Sequence, residues 1–183
     1  GRLMVQKGGQ WQTVWTSRCL PNLFVANPIL GDFDHDGRLE VAVTPLNDLW
    51  VFDLAKGEPK YTCTFAPPGT PSGRGYGWIG AFDLDGDGRQ EFVILADFAN
   101  HIEVLGWSQG KLVRLWYATI ENTITRKQTI FHPGAEPVRD IDGDGRPEIV
   151  VSVFGLEGDR RWHVYAYEAM TGQRPEPPGP PPP

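Results

Sequence analysis

Asp32-Phe-Asp-His-Asp-Gly-Arg-Leu-Glu40 returns as Asp83-Leu-Asp-Gly-Asp-Gly-Arg-Gln-Glu91, and again as Asp140-Ile-Asp-Gly-Asp-Gly-Arg-Pro-Glu148. All three obey D-x-D-x-D-G-R-x-E, and their starts are spaced 51 and 57 residues apart. Repetition at such a period marks a repeat architecture. The flanks repeat as well. A short apolar stretch precedes each acidic segment: Pro28–Gly31, Trp78–Phe82 and Pro137–Arg139. A run rich in β-branched and apolar residues follows each: Val41–Val43, Phe92–Leu95 and Ile149–Val153. A third run comes next: Leu49–Phe52, His101–Leu105 and Trp162–Tyr167. Tyr61–Phe65 and Leu112–Tyr117 give the first two units a fourth. These runs have strand composition.

Each unit therefore reads as a four-stranded antiparallel meander with an acidic loop between its first two strands. Four strands at a period near 50 residues describe a β-propeller blade. Arg2–Gln6 and Trp11–Trp15, around a Lys-Gly-Gly turn, read as the last two strands of a further blade. The third unit shows no clear fourth strand. The predicted fold is all-β: a propeller-like array of about three four-stranded antiparallel blades over residues 1–172. Its repeats lie near 28–66, 78–117 and 137–170, with a partial blade at 1–17. Closed propellers have about four to eight blades, so this array is incomplete as a single closed ring. Residues 118–136 read as an insertion between units. Its Ile120, Ile124, Ile130 and Phe131 would be costly to expose, so an extra hairpin covering an edge or a partner is expected. The proline-rich tail, 173–183, is expected to be polyproline II, held on its own domain or on a neighbouring copy.

Composition agrees with this reading. Among 183 residues are 22 Gly and 17 Pro, which leaves little room for a helical bundle or a doubly wound α/β fold. A net charge of −6 argues against nucleic acid, which requires clustered Lys and Arg. No run of 18 apolar residues is present to span a membrane. Cys19 and Cys63 have no metal or redox spacing, and read either as two thiols or as one disulfide.

Alternating carboxylates packed into one turn repel unless a cation sits among them. Hard oxygen ligands at this density select Ca2+, while Mg2+ prefers to keep its waters. The glycine at position six allows the turn to fold its ligands inward. The spacing resembles an EF-hand loop, but the final acid stands at position nine, and strands follow instead of helices. The first site is assigned to Asp32, Asp34, Asp36 and Glu40 with the Arg38 carbonyl. The second is Asp83, Asp85, Asp87 and Glu91 with the Arg89 carbonyl. The third is Asp140, Asp142, Asp144 and Glu148 with the Arg146 carbonyl. About three Ca2+ are expected, and their charge would cancel the net −6. Affinities of roughly 0.1–1 mM, usual for extracellular modules, would place the protein outside the cell in a structural role.

The unit resembles the FG-GAP/VCBS repeat, the calcium-binding blade of integrin α-subunit propellers and of many secreted bacterial proteins. The resemblance covers roughly residues 28–170 and is most specific at the loops. The chain departs from the family in carrying Glu at position nine, and in lacking the Phe-Gly-Gly-Ala-Pro stretch. The resemblance implies a propeller fold, structural calcium, and adhesion or binding without catalysis. Similar blades occur in rhamnogalacturonan lyases and fungal lectins, so carbohydrate binding is the alternative.

Nothing in the sequence points to an enzyme. There is no G-x-S-x-G elbow, and His35, His101, His132 and His163 have no zinc spacing. Gly73–Gly77 lacks the ending of a phosphate loop. Trp15, Trp50, Trp78, Trp107, Trp116 and Trp162 fall in strands or at their ends. They are expected to pack blade on blade, with a sugar-stacking platform as the sharper alternative. The expected protein is a secreted, calcium-stabilised structural or adhesive element. It would associate with copies of itself into an oligomer or filament through strand or tail exchange. Glycans or other surface proteins are further candidate partners.

Overall fold

In the run Phe92-Val-Ile-Leu95, side chains alternate across a strand, and all four are apolar. Such a strand must be covered on both faces. In the computed structural model all four are at most 1% exposed. Residues 2–16, 28–45, 48–65, 78–96, 101–119, 129–155 and 161–173 are described. Cys19 and the tail beyond 173 lie outside them, and Cys63 is a free thiol.

Strands β1 (Arg2–Lys7) and β2 (Gln10–Thr16) form a hairpin. Strands β3 (Ile29–Gly31), β4 (Glu40–Val43), β5 (Asp48–Asp53) and β6 (Pro59–Thr64) form the first full sheet. Strands β7 (Trp78–Phe82), β8 (Glu91–Ala96), β9 (His101–Ser108) and β10 (Lys111–Thr119) form the next. Strands β11 (Thr129–Arg139), β12 (Glu148–Gly155) and β13 (Trp162–Glu168) form the last. The described residues thus hold four antiparallel sheets of two, four, four and three strands, none of them closed. Neighbours in each sheet are neighbours in sequence, so every sheet is a meander.

One expectation is corrected. Residues 129–136 do not form an extra hairpin: they begin the eleven-residue β11. Thr129–Pro133 pair with Gly155–Val151 of the eight-residue β12, and an irregularity between Pro133 and Val138 absorbs the Pro-Gly interruption. Residues 120–128 lie outside the described set.

Two apolar clusters lie between successive sheets. The first joins Phe33, Ala42, Leu49 and Val51 to Ile79, Phe92, Ile94 and Leu105. The second joins Val93, Leu95, Val104 and Trp116 to Ile149, Val151 and Tyr167. The two faces of β8 therefore serve different neighbours, which explains its unbroken apolar run. Aromatics do much of this packing. The Phe33 and Phe92 rings meet at 4.9 Å, and Tyr61 meets Trp107 edge-on at 4.8 Å. Trp116 stacks with Tyr167 at 6.2 Å and donates to the Ala169 carbonyl at 2.9 Å.

The hairpin is attached to the first full sheet through Trp15. Its ring stacks on Phe52 at 6.2 Å, and its Nε1 donates to the Leu54 carbonyl at 2.7 Å. A Cβ on Gly57 would stand 2.4 Å from that ring, and Gly57 has φ +73°. Gly57→Ala is expected to loosen the hairpin, since both the clash and the left-handed backbone oppose a side chain. Limited proteolysis should then cut near residue 16 faster than in the parent.

Candidate metal centre

Each acidic segment forms the turn between the first two strands of its sheet, and each is built alike. The carboxylate at position one accepts two backbone N–H groups of its own loop. Asp32 takes those of Asp36 and Gly37, at 2.9 and 2.8 Å. Asp83 takes those of Gly86 and Gly88, at 2.8 and 3.1 Å. Asp140 takes those of Gly143 and Gly145, at 2.7 and 2.9 Å. Position six is left-handed in all three, with φ between +84° and +90° at Gly37, Gly88 and Gly145, so glycine is required there.

Position nine has a double task. Glu40, Glu91 and Glu148 each accept the backbone N–H of position two through Oε2. The partners are Phe33 at 2.9 Å, Leu84 at 2.9 Å and Ile141 at 2.8 Å. These glutamates are at most 2% exposed. An Oε1 remains to face the carboxylates. The bond to position two spans seven residues of chain, which suits the longer reach of Glu.

Position two was not singled out in the sequence, yet it ties the loop to the core. Phe33 is 1% exposed and Leu84 3%, each inserted into an intersheet cluster. Ile141, the third copy, is 52% exposed.

The structure brings most of the assigned carboxylates together. Asp32, Asp34, Asp36 and Glu40 each place an oxygen within 4.8 Å of the others. Asp83, Asp85 and Glu91 do the same, as do Asp140, Asp142 and Glu148. Asp87 stands outside its group, and Asp144 joins Asp142 and Glu168 instead. Glu168 was not found from sequence. Strand pairing sets it opposite Glu148, as it sets Asp53 opposite Glu40. The arginines at position seven do more than offer a carbonyl. Arg38 and Arg146 hold Asp36 and Asp144 at 2.6 and 2.5 Å, whereas Arg89 lies over the Trp107 ring.

The electrostatics differ between loops. In the first, the Lys60 ammonium lies 2.8 Å from Asp34, 2.6 Å from Asp36 and 2.8 Å from Glu40. Tyr61 donates its hydroxyl to Asp34 at 2.5 Å. Hydrogen bonds from Arg38 and then Lys60 hold Asp36 well below the usual carboxylate range. Burial works against the Lys60 charge, but bonds to Asp34, Asp36 and Glu40 outweigh it and raise its pKa. In the second loop, burial and then the neighbouring aspartates push Glu91 up to about 7. Burial likewise raises Glu148, whose Oε1 is buried without a hydrogen-bond partner. A buried, unpartnered carboxylate oxygen among like charges fits a hard cation as its missing neighbour.

The Glu91 shift gives a pH dependence. A carboxyl whose folded pKa is raised stabilises the fold below its unfolded pKa, and that contribution is lost as pH rises through the folded value. In metal-stripped protein, stability is expected to fall between pH 4.5 and about 7. Glu91 alone would account for up to about 3 kcal/mol. A Ca2+ bound there would favour the carboxylate and reverse the sign. Thermal melts across that range, with and without Ca2+, check both slopes.

The family described as FG-GAP-like repeat matches residues 32–94, from the first residue of the first loop into β8. The matched segment contains the first two acidic loops entire. No curated protein matches the chain.

Proposed function

We propose that the chain, with its FG-GAP-like segment, is a secreted, calcium-stabilised structural or adhesive element built of propeller-like blades. Its role is binding and assembly, not catalysis. Asp83, Asp85 and Glu91 hold one Ca2+, with Asp87 and the Arg89 carbonyl as further ligands. Asp140, Asp142 and Glu148 hold another, with Asp144, Glu168 and the Arg146 carbonyl beside them. Three loops that share the position-nine bond and gather like charges within 4.8 Å support this reading. FG-GAP repeats are typical of extracellular and surface proteins, where millimolar calcium would fill such sites.

The observation that carries self-association is the exposed third plug. Phe33 and Leu84 each enter the space between two sheets, while Ile141 is 52% exposed on the last sheet. On that sheet Trp162 is 55% and Val164 68% exposed, on β13, its outer strand. At the other end Met4, Trp11 and Val14 of the hairpin are 42%, 65% and 49% exposed. Apolar surface at both ends suits head-to-tail addition of copies, whose end product is a ring or a filament.

Sedimentation in Ca2+ tests this. Particles at multiples of 20.4 kDa are expected, and Ile141→Asp should reduce them. A monomer at every concentration would contradict the assembly. Strong selective binding on a glycan array would favour the carbohydrate-binding alternative.

A further inference from the structure

We infer that Lys60 is the resident cation of the first loop, its ammonium taking the place that Ca2+ takes in the other two, so that the chain binds two Ca2+ and not three. This rests on the calcium reading of the loops.

Strand register places Lys60 and Leu115 in equivalent positions. Between β5 and β6, Val51 pairs with Tyr61 and Phe52 with Pro59, which leaves Lys60 as the extra residue of a bulge. Between β9 and β10, Val104 pairs with Trp116 and Leu105 with Arg114, which leaves Leu115. Val41 pairs with Phe52 as Phe92 pairs with Leu105, so Lys60 and Leu115 occupy the same place in their sheets. A bulge re-aims its side chain, and here it aims toward the acidic loop. Leu115 and the Glu91 stem both crowd Gly106, at 2.6 and 3.0 Å from where a Cβ on it would stand. One sheet thus brings an ammonium to its position-nine glutamate, and the other brings a hydrocarbon.

Distances make the ammonium a substitute and not a bystander. Its three carboxylate contacts, at 2.6–2.8 Å, lie just beyond the 2.3–2.6 Å of calcium–oxygen bonds. Those contacts come from positions three, five and nine, the residues that would bind the metal. Lys60 is 17% exposed at its side chain and Glu40 1%. A Ca2+ entering that cage would meet the ammonium at contact distance, where like charges repel strongly in a half-buried site. The loop that gathers all four carboxylates is therefore the one whose cation is covalently supplied. The second loop, with Leu115 in the equivalent place, must take its cation from solution.

Calorimetric titration of metal-free full chain with CaCl2 counts the sites. The parent is expected to bind two Ca2+. Lys60→Leu, which copies the second sheet, and Lys60→Gln, which keeps a polar side chain, are each expected to bind three. In chelator both variants should melt lower than the parent, and added Ca2+ should raise their melting points more than the parent's. A parent that binds three leaves the calcium reading intact and overturns the role of Lys60. A parent that binds none overturns both. Two sites in parent and variants alike also overturn it. Should Lys60→Leu fail to fold without metal, Lys60→Gln and refolding in Ca2+ supply the count.

Discussion

Adding 1 mM Ca2+ to the metal-free protein is expected to raise its melting temperature by roughly 6–11 °C. A site with a dissociation constant near 0.1 mM contributes about 1.4 kcal/mol at that concentration, so two contribute about 2.8 kcal/mol. A chain of this size gains about 2–4 °C for each kcal/mol. The effect should depend on the ion. Mg2+ at the same concentration should give a much smaller shift, because it dehydrates reluctantly and demands octahedral geometry. Glu148→Gln should remove about half the calcium response, since it keeps an acceptor for the Ile141 N–H but loses the charge on the buried Oε1. Differential scanning fluorimetry on parent and variant, in Ca2+, Mg2+ and chelator, checks these outcomes. A melting temperature indifferent to chelator would contradict the calcium assignment.

Phe92→Ala is expected to destabilise the chain by about 3–5 kcal/mol, read as a lowered denaturant midpoint. Phe92 is 0% exposed, and its ring sits 4.9 Å from that of Phe33. Truncation leaves a cavity between two sheets that cannot collapse without moving β8, whose opposite face packs the second cluster. The loss should also reach the first loop. Phe33 provides both the ring that meets Phe92 and the backbone N–H that binds Glu40. A loss below about 1 kcal/mol would mean that the sheets do not pack on one another as described.

The acidic loops were legible because they are local. Three carboxylates, a glycine and a glutamate at fixed spacing show in the sequence as they show in the turn. The meander order was legible too, since strands neighbouring in sequence are neighbours in each sheet. What escaped depends on pairing between strands. Lys60 reaches the first loop only through a bulge, and nothing in Pro59-Lys-Tyr61 announces the extra residue. Glu168 stands 20 residues beyond Glu148 and reaches the third loop by pairing directly with it. The apolar residue at position two was in view as Phe33, Leu84 and Ile141, and could have been read as a plug. The start of β11 was read as part of an insertion with its own hairpin, whereas an irregular pairing accommodates Pro133 and Gly134 inside a long strand.

These features give the acidic loops a common logic. Each gathers like charges, the first two beside an intersheet contact, and on the proposed reading a cation holds each arrangement. Crystals grown in Ca2+ and measured for anomalous scattering would locate the ions directly. The account predicts a calcium peak inside the loop at 83–91 and another at 140–148, with oxygens at about 2.3–2.6 Å, and the Lys60 ammonium among the carboxylates at 32–40. Loops at 83–91 and 140–148 holding water and no metal would contradict it.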